Sequence, residues 1–345
     1  MNVPMLTHKS LKAIVLMGFI ALFSACDKDD DDDRDNDNDN RINPKTGVTL
    51  FATSNTSATF SLLDISNISD ISAKFITSAS TDADGIAYNE ELDLVAQVNR
   101  TQSQVDLFAN VSVLSSGASI DAFASSNSDF NNGRELAMTD SKIVVANDED
   151  GNNQLLVYNY TISGITLEKV FDVNFNLWGI HIDSNNNLYA VVDNSDSLAV
   201  FEDFFNLPVG PITPDIKVKV EGIGRTHGIT YHEERDIMFL TNIGDAGSDS
   251  DGGIHIITNF TNVLDIAAST GVVLPVNQLV IEGSNTMLGN PVDIAFDSSN
   301  NRIYVAERAK NGGLILGFNF PSSSGNQAPV YTGIFAGASS VFINQ

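Results

Sequence analysis

Five stretches of this chain repeat one hairpin at nearly constant length, and no other feature restricts its fold so tightly. The unit is clearest at residues 178–201, WGIHIDSNNNLYAVVDNSDSLAVF. A short strand (Gly179–Ile182) is followed by a turn of Asp and Asn, a second strand (Leu188–Val192), a polar loop and a third strand (Leu198–Phe201). β-Branched and aromatic residues fill the strands, while residues that make their own local turns fill the gaps. Further copies run from Asp84, Glu135, His227 and Val292. The apolar residue of the first strand leads to that of the second as Ile86 to Leu94, Leu136 to Val144, Ile180 to Leu188, Ile229 to Ile237 and Ile294 to Ile303, eight residues four times and nine once. First strands align at Gly85, Glu135, Gly179, Gly228 and Asp293, at intervals of 50, 44, 49 and 65 residues. These lie within or just above the period of a four-stranded propeller blade, a regularity that a two-sheet sandwich lacks.

Two ends are left over. Residues 47–77 supply second, third and fourth strands without a first, and Ala338–Asn344 supplies a first strand without followers. Together they predict an all-β, six-bladed β-propeller of four-stranded blades spanning 47–345, closed by pairing the C-terminal strand with the N-terminal blade. Such closure leaves no open sheet edge at the join. Fourth strands are expected at Ser119–Phe123, Thr166–Phe171, Ile216–Val220, Gln278–Ile281 and Val330–Phe335.

Ahead of the repeats, Lys9 and Lys12 precede an apolar run, Ala13–Phe23, too short to span a bilayer comfortably. It ends in Phe23-Ser24-Ala25-Cys26, which holds the chain's one cysteine. An ordinary secretory signal with an incidental Cys would read similarly. The stretch resembles the lipobox of bacterial lipoproteins, and the acidic run that follows (DKDDDDDRDNDNDN, 27–40) resembles the export signal of Bacteroidota surface lipoproteins. The resemblance implies a signal peptide over 1–25, a lipidated Cys26 leading an acidic tether over 26–46, and an outer-membrane anchor, with palmitate among the lipids, that presents the propeller at the cell surface. More than one acyl chain would make that anchorage stable. With 44 acidic against 18 basic residues, the chain lacks the basic surface that displaces counterions from nucleic acid.

Antiparallel pairing sorts the polar residues by face. The starts of first strands and the ends of second strands share one face, and the hairpins between them share the other. The hairpin turns Asn89–Glu91, Asp183–Asn187, His232–Arg235 and Asp297–Asn301 read as ordinary turn chemistry. The strand-exit face collects less repetitive residues: Asp84, Arg134, Trp178, Arg225, His227 and Arg308 as a candidate ligand ring around the channel mouth, and Glu135, Asn147, Asp193 and Asn242 at neighbouring positions. Asn and Asp also end strands simply because they make local turns. The lone tryptophan, Trp178, is equally a sugar-stacking platform or core filler. In the copy that begins at His227 the second-to-third-strand link is lengthened, and NIGDAGSDSDGG carries Asp245, Asp249 and Asp251. The spacing has features of a calcium loop without the closing Glu, so a Ca2+ site and a plain surface loop both stand.

The G-I-x-x-D…N-x-L-Y-V-x-D pattern, best kept at Gly179–Asp193 and Asp293–Glu307, resembles the six-bladed superfamily of NHL-repeat, TolB-like and gluconolactonase-type proteins. The resemblance implies the fold strongly and function weakly. It admits a non-catalytic module that captures an extracellular glycan, peptide or protein. It also admits a divalent-metal-dependent hydrolase of lactonase or esterase type, in which Glu135, Asn147, Asp193 and Asn242 would hold the metal and His227 would act as base. The early acidic ligand of the lactonases has no counterpart, since the first blade offers only Ser54 and Asn55 there. No G-x-S-x-G elbow, H-E-x-x-H helix or P-loop occurs.

Overall fold

The computed structural model describes residues 42–344. Cys26, the signal segment and residues 27–41 of the acidic tether lie outside the described residues. Six antiparallel sheets form, each led by an inner strand: Ala338–Asn344 (blade 1), Ala83–Asn89 (blade 2), Gly133–Met138 (blade 3), Leu177–Ile182 (blade 4), Ile229–His232 (blade 5) and Pro291–Asp297 (blade 6). Blade 1 is completed by Thr49–Ser54, Thr59–Asp64 and Ser72–Thr77, and its closure matches expectation, with Phe51 opposite Phe342 and Ala52 opposite Val341. The fold is a six-bladed β-propeller. Ile42 is nevertheless already buried, with its carbonyl accepting from Lys74 at 2.7 Å, and Asn344 donates to the Pro44 carbonyl at 2.7 Å. The chain therefore joins the propeller five residues ahead of the expected boundary.

The core is divided into six apolar layers, one in each seam between neighbouring blades. Successive residues of a strand point to opposite sheet faces, and here both faces are covered. In the second strand of blade 2, Leu94, Ala96 and Val98 pack toward blade 3 while Val95 packs toward blade 1. This is why the middle strands read as unbroken apolar runs rather than alternating ones.

Fourth strands fall at Ala124–Ser125, Gly164–Asp172, Ile216–Val220, Leu279–Glu282 and Tyr331–Ile334. Blade 2 departs most from expectation: Ser119 bridges in parallel to Thr77 of blade 1 instead of leading its own strand. Gly210–Pro211 and Val272–Val273 add parallel fifth strands to blades 3 and 4. Loops thus cover outer edges that would otherwise invite pairing. A helix, Phe260–Thr270, fills the link between the third and fourth strands of blade 5 and buries Phe260, Val263, Leu264 and Ala267. Those positions follow the i, i+3, i+4, i+7 spacing of one helical face, and Gly271 at φ 82° ends it.

Candidate functional site

The ends of the second strands prove to be architectural. Ser54 Oγ accepts the amides of Thr56 and Ser57, and Asn99 Oδ1 that of Gln102. Asn147 Oδ1 accepts from Asn132 N at 2.9 Å while its amide donates to the Asn152 carbonyl at 3.0 Å. Asn242 Oδ1 receives Gly224, Arg225 and Gly244. Glu307 is fully buried and accepts from the amides of Gly289, Asn290, Ala309 and Lys310 at 2.9–3.0 Å. In blades 1, 3, 5 and 6 the residue that ends the second strand therefore ties two loops together at the rim, while Asn99 of blade 2 caps its own loop.

In blade 4 that position is Val192, opposite Ser197; Asp193 follows one residue later, so its side chain turns the other way and does something different. Its carboxylate takes a bidentate pair from Arg225, Nε at 2.7 Å and NH2 at 3.0 Å, and meets His227 Nε2 at 3.0 Å. Burial raises its pKa, but the bonds from His227 and Arg225 outweigh that and hold it well below the usual range. An ionised carboxylate only accepts, so His227 carries its proton on Nε2. Nδ1 is then an acceptor, buried and without a partner. Burial pushes His227 down to about 4 against the pull of Asp193, leaving the ring neutral near pH 7.

Trp178 joins three blades. His227 of blade 5 stacks on it with ring centres 3.5 Å apart, and the Arg134 guanidinium of blade 3 lies 4.0 Å from its ring on the other side. Arg134 also reaches Asp148 at 3.4 Å. Both indole faces are occupied and the side chain is buried. A sugar cannot stack there, so the core-filling role of Trp178 is the one realised.

Blades 2, 3, 6 and 1 meet in a second cluster. Arg100 bridges Asp82 at 3.6 Å and Asp84 at 3.4 Å. Burial raises Asp84 to about 7, although Arg100, Arg134 and Arg308 all lower it. With the Asn55 amide oxygen turned toward it, Arg308 donates at 2.8 and 3.1 Å. Glu135 and Asp293 lie close enough in the channel to act on one another, and both line the same cavity. These residues come from blades 3 and 6, on opposite sides of the ring, so the pair forms a bar across the channel. Ser340 Oγ and Val341 N of blade 1 donate to Asp293 Oδ2 at 2.9 and 2.7 Å. Burial, then the charges of Asp293 and Asp84, drive Glu135 well above the ordinary carboxyl range, and burial lifts Asp293 to about 6.

The expected metal set does not assemble. Glu135 belongs to the channel bar, Asn147 and Asn242 cap loops, and Asp193 is held by Arg225 and His227. In the lengthened loop, Asp251 accepts from Asp245 N, Asp245 from Gly247 N, and Asp249 pairs with Lys310 at 3.4 Å. Among the described residues, no group of three or more His, Cys, Asp or Glu side chains is arranged to hold a metal. Of the predicted ligand ring, the structure brings Arg134, Trp178, Arg225 and His227 together through Asp193, and sets Asp84 and Arg308 beside them. Sequence reasoning passed over Ser340, which carries no chemistry-bearing motif. It also missed the pairing of Glu135 with Asp293, which only the closed ring creates.

A channel cavity of about 220 Å³ lies on the far side of the bar. It runs from Glu135 and Asp293 toward the hairpin face, past His181 and Thr230, to Met138, His232 and Phe296. The hairpin turns themselves behave as expected: Asp183 accepts from Asn185 N and Asn187 N, and Asp297 from Asn300 N. This cavity lies on their side of the channel.

No sequence-family model and no curated protein matches the chain by sequence. Similarity in structure is extensive. A candidate 6-phosphogluconolactonase from Bacteroides uniformis superposes with a TM-score of 0.60 at 9% identity, covering 86% of this chain and 99% of that one. The periplasmic gluconolactonase PpgL of Pseudomonas aeruginosa gives 0.58 at 10% identity, covering 86% and 99%. A chain of a nidogen/laminin complex gives 0.58 at 12% identity, covering 87% and 99%. At such identities the likeness is one of fold. A gluconolactonase and a component of a nidogen/laminin complex share it equally.

Proposed function

We propose that this propeller is a binding module, carried on a lipid anchor at Cys26, that takes an acid-bearing ligand of the sugar-acid class on its strand-exit face. One observation carries the reading. In a chain of net charge −26, four of the six arginines in the described region (Arg100, Arg134, Arg225 and Arg308, but not Arg235 or Arg302) gather on this face. Their counter-carboxylates point inward: the side chains of Asp84 and Asp193 are 4% and 2% exposed, those of Arg100, Arg134 and Arg225 19%, 14% and 25%. Three of these guanidinium side chains are thus more exposed than Asp84 and Asp193. Part of their donor capacity is left over, since Arg100 reaches, besides Asp84, only the exposed Asp82, and the Nε groups of Arg100 and Arg134 have no partner; such a cluster suits a carboxylate or phosphate. The gluconolactonase names among the structural neighbours agree with that ligand class.

A second reading, lactone hydrolysis with His227 as base oriented by Asp193, is favoured by their 3.0 Å contact. The sealed Nδ1 and the stacked indole weigh against it. Titration of the purified protein with gluconate, glucuronate and glucose tests the first. Acids should bind and glucose should not, with Arg134→Ala and Arg225→Ala each weakening the acids. Equal binding of glucose would sink the proposal. Turnover of glucono-δ-lactone, assayed with EDTA and with added calcium, would establish the second reading instead. Metabolic labelling with palmitate, lost in Cys26→Ala, tests the anchor.

A further inference from the structure

We propose that the channel cavity on the hairpin face is a second binding site, built for a small primary amine whose ammonium group sits on the Glu135–Asp293 pair. This site lies on the other side of the bar from the arginine-bearing face and is independent of what binds there.

The charge balance points to a cation. Glu135 and Asp293 line one cavity side by side, and two neighbouring carboxyl groups that hold one proton carry one negative charge between them. Glu135 feels Asp293 and Asp84, both acidic, and Asp293 is held by the amides of Val341 and Ile294, by Ser340 and by Glu135. No Lys or Arg lines the cavity. The arginines that reach this region act on Asp84, on the opposite side of the bar. Buried charge in proteins is ordinarily paired, and here the open side of the pair faces the cavity.

The walls set the shape. At the position after the Ile, Leu or Val of each inner strand stand Ala87, Ala137, His181, Thr230, Ala295 and Phe342, and all six line the cavity. Three alanines keep the space open. Each inner strand pairs with a single neighbour, so its second edge turns toward the channel and offers backbone groups to a guest. His181 packs on Tyr189 and Tyr231. Burial drives it down to about 4, so it is neutral and does not repel a cation. A volume of about 220 Å³ is small beside the roughly 300–1,000 Å³ of drug-sized pockets, which restricts the guest to a short, unbranched molecule.

Calorimetric titration of the whole purified protein with n-butylammonium, n-butanol and tetraethylammonium at physiological salt tests this. Butylammonium should bind once per chain. Butanol should bind about tenfold more weakly or not at all, the expected loss when a charge-assisted hydrogen bond is removed. Tetraethylammonium, too bulky and lacking an N–H, should not compete. Glu135→Gln and Asp293→Asn should each weaken butylammonium by about the same factor, while Asp265→Asn on the exposed helix should leave it unchanged. Absence of amine binding, equal binding of butanol, or competition by tetraethylammonium would each overturn the site, the last by showing attraction to the acidic surface alone. So would unaltered binding in both carboxyl variants. Should either variant fail to fold, the three ligands on the native protein decide the matter.

Discussion

The indole of Trp178 lies flat on the imidazole of His227, with ring centres 3.5 Å apart and planes 5° from parallel. The two side chains enter from adjacent blades at equivalent points of their inner strands, so the stack is a seam contact as well as a site feature. It gives His227 an optical reporter, because Trp178 is the chain's one tryptophan.

Protonated imidazole quenches indole emission more strongly than the neutral ring. Fluorescence of the native protein should therefore fall as pH drops through about 4, where burial places His227, and not near the ordinary histidine value of about 6.5. His227→Asn should abolish the transition. A midpoint near neutrality in the native protein would mean that the imidazole is solvated and the stack open.

Asp193→Ala removes the group that Arg225 and His227 share. Losing one partner of a buried ion pair costs roughly 3–5 kcal/mol, and the lower end applies here because the Arg225 side chain keeps 25% of its surface exposed. Asp193→Asn retains an acceptor and should cost less. In that variant the His227 transition should move further down in pH, because Asp193 is what raises it. Chemical denaturation and the fluorescence titration measure the two effects separately.

Gly179 explains the glycine of the repeat. A Cβ there would stand 2.2 Å from the His227 carbonyl, and at Gly85 and Gly228 it would meet the next inner strand at 2.4 and 2.6 Å. Inner strands converge on the channel, and only a bare Cα permits the approach. Gly179→Ala should destabilise by about 1–3 kcal/mol, the usual cost of overpacking. Gly325→Ala, where a Cβ meets nothing within 4 Å, should be neutral or slightly stabilising. Equal behaviour of the two in urea melts would refute the crowding argument.

These glycines also show why the fold was legible and the site less so. Hairpin length is a local property, so Ile180-to-Leu188 and its counterparts reveal blades one at a time, and Ala338–Asn344 reveals closure by what it lacks. Asn242 ends its strand opposite Gly253 and caps a loop, whereas Val192 fills that register in blade 4 opposite Ser197 and Asp193 comes one residue later, turned the other way to bind side chains across a seam. A one-residue offset that both copies' equal spacing conceals, and a neighbouring blade that offers Arg225 and His227, make the difference. The helix at Phe260–Thr270 was written in its spacing but hidden within a repeat that elsewhere uses strands. Glu135 and Asp293 became partners only when six blades closed on one axis.

The channel acids should make stability fall as pH rises above neutrality. Asp84 and Asp293 titrate near about 7 and 6 in the folded protein instead of 3.8, and Glu135 well above 4.5. Where a folded-state carboxyl pKa is raised, the native state holds more protons than the unfolded chain. Its stabilising contribution is complete below the unfolded value and is lost as pH climbs through the folded one. His181 and His227, lowered to about 4 by burial, act in the opposite sense between about 4 and 6.5, and His255 is shifted the same way. The two sets oppose each other across that window. Above about 6.5 the histidines are neutral in both states and contribute no slope, while Asp84 and Glu135 continue to lose protons. The midpoint of thermal unfolding should therefore be nearly level from pH 5 to 6.5 and drop by a few degrees between about 6.5 and 8. Glu135→Gln, which keeps a hydrogen-bonding amide and removes the charge, should flatten that drop. A native profile that rises through the same interval would show that the bar across the channel is ionised and solvated rather than closed.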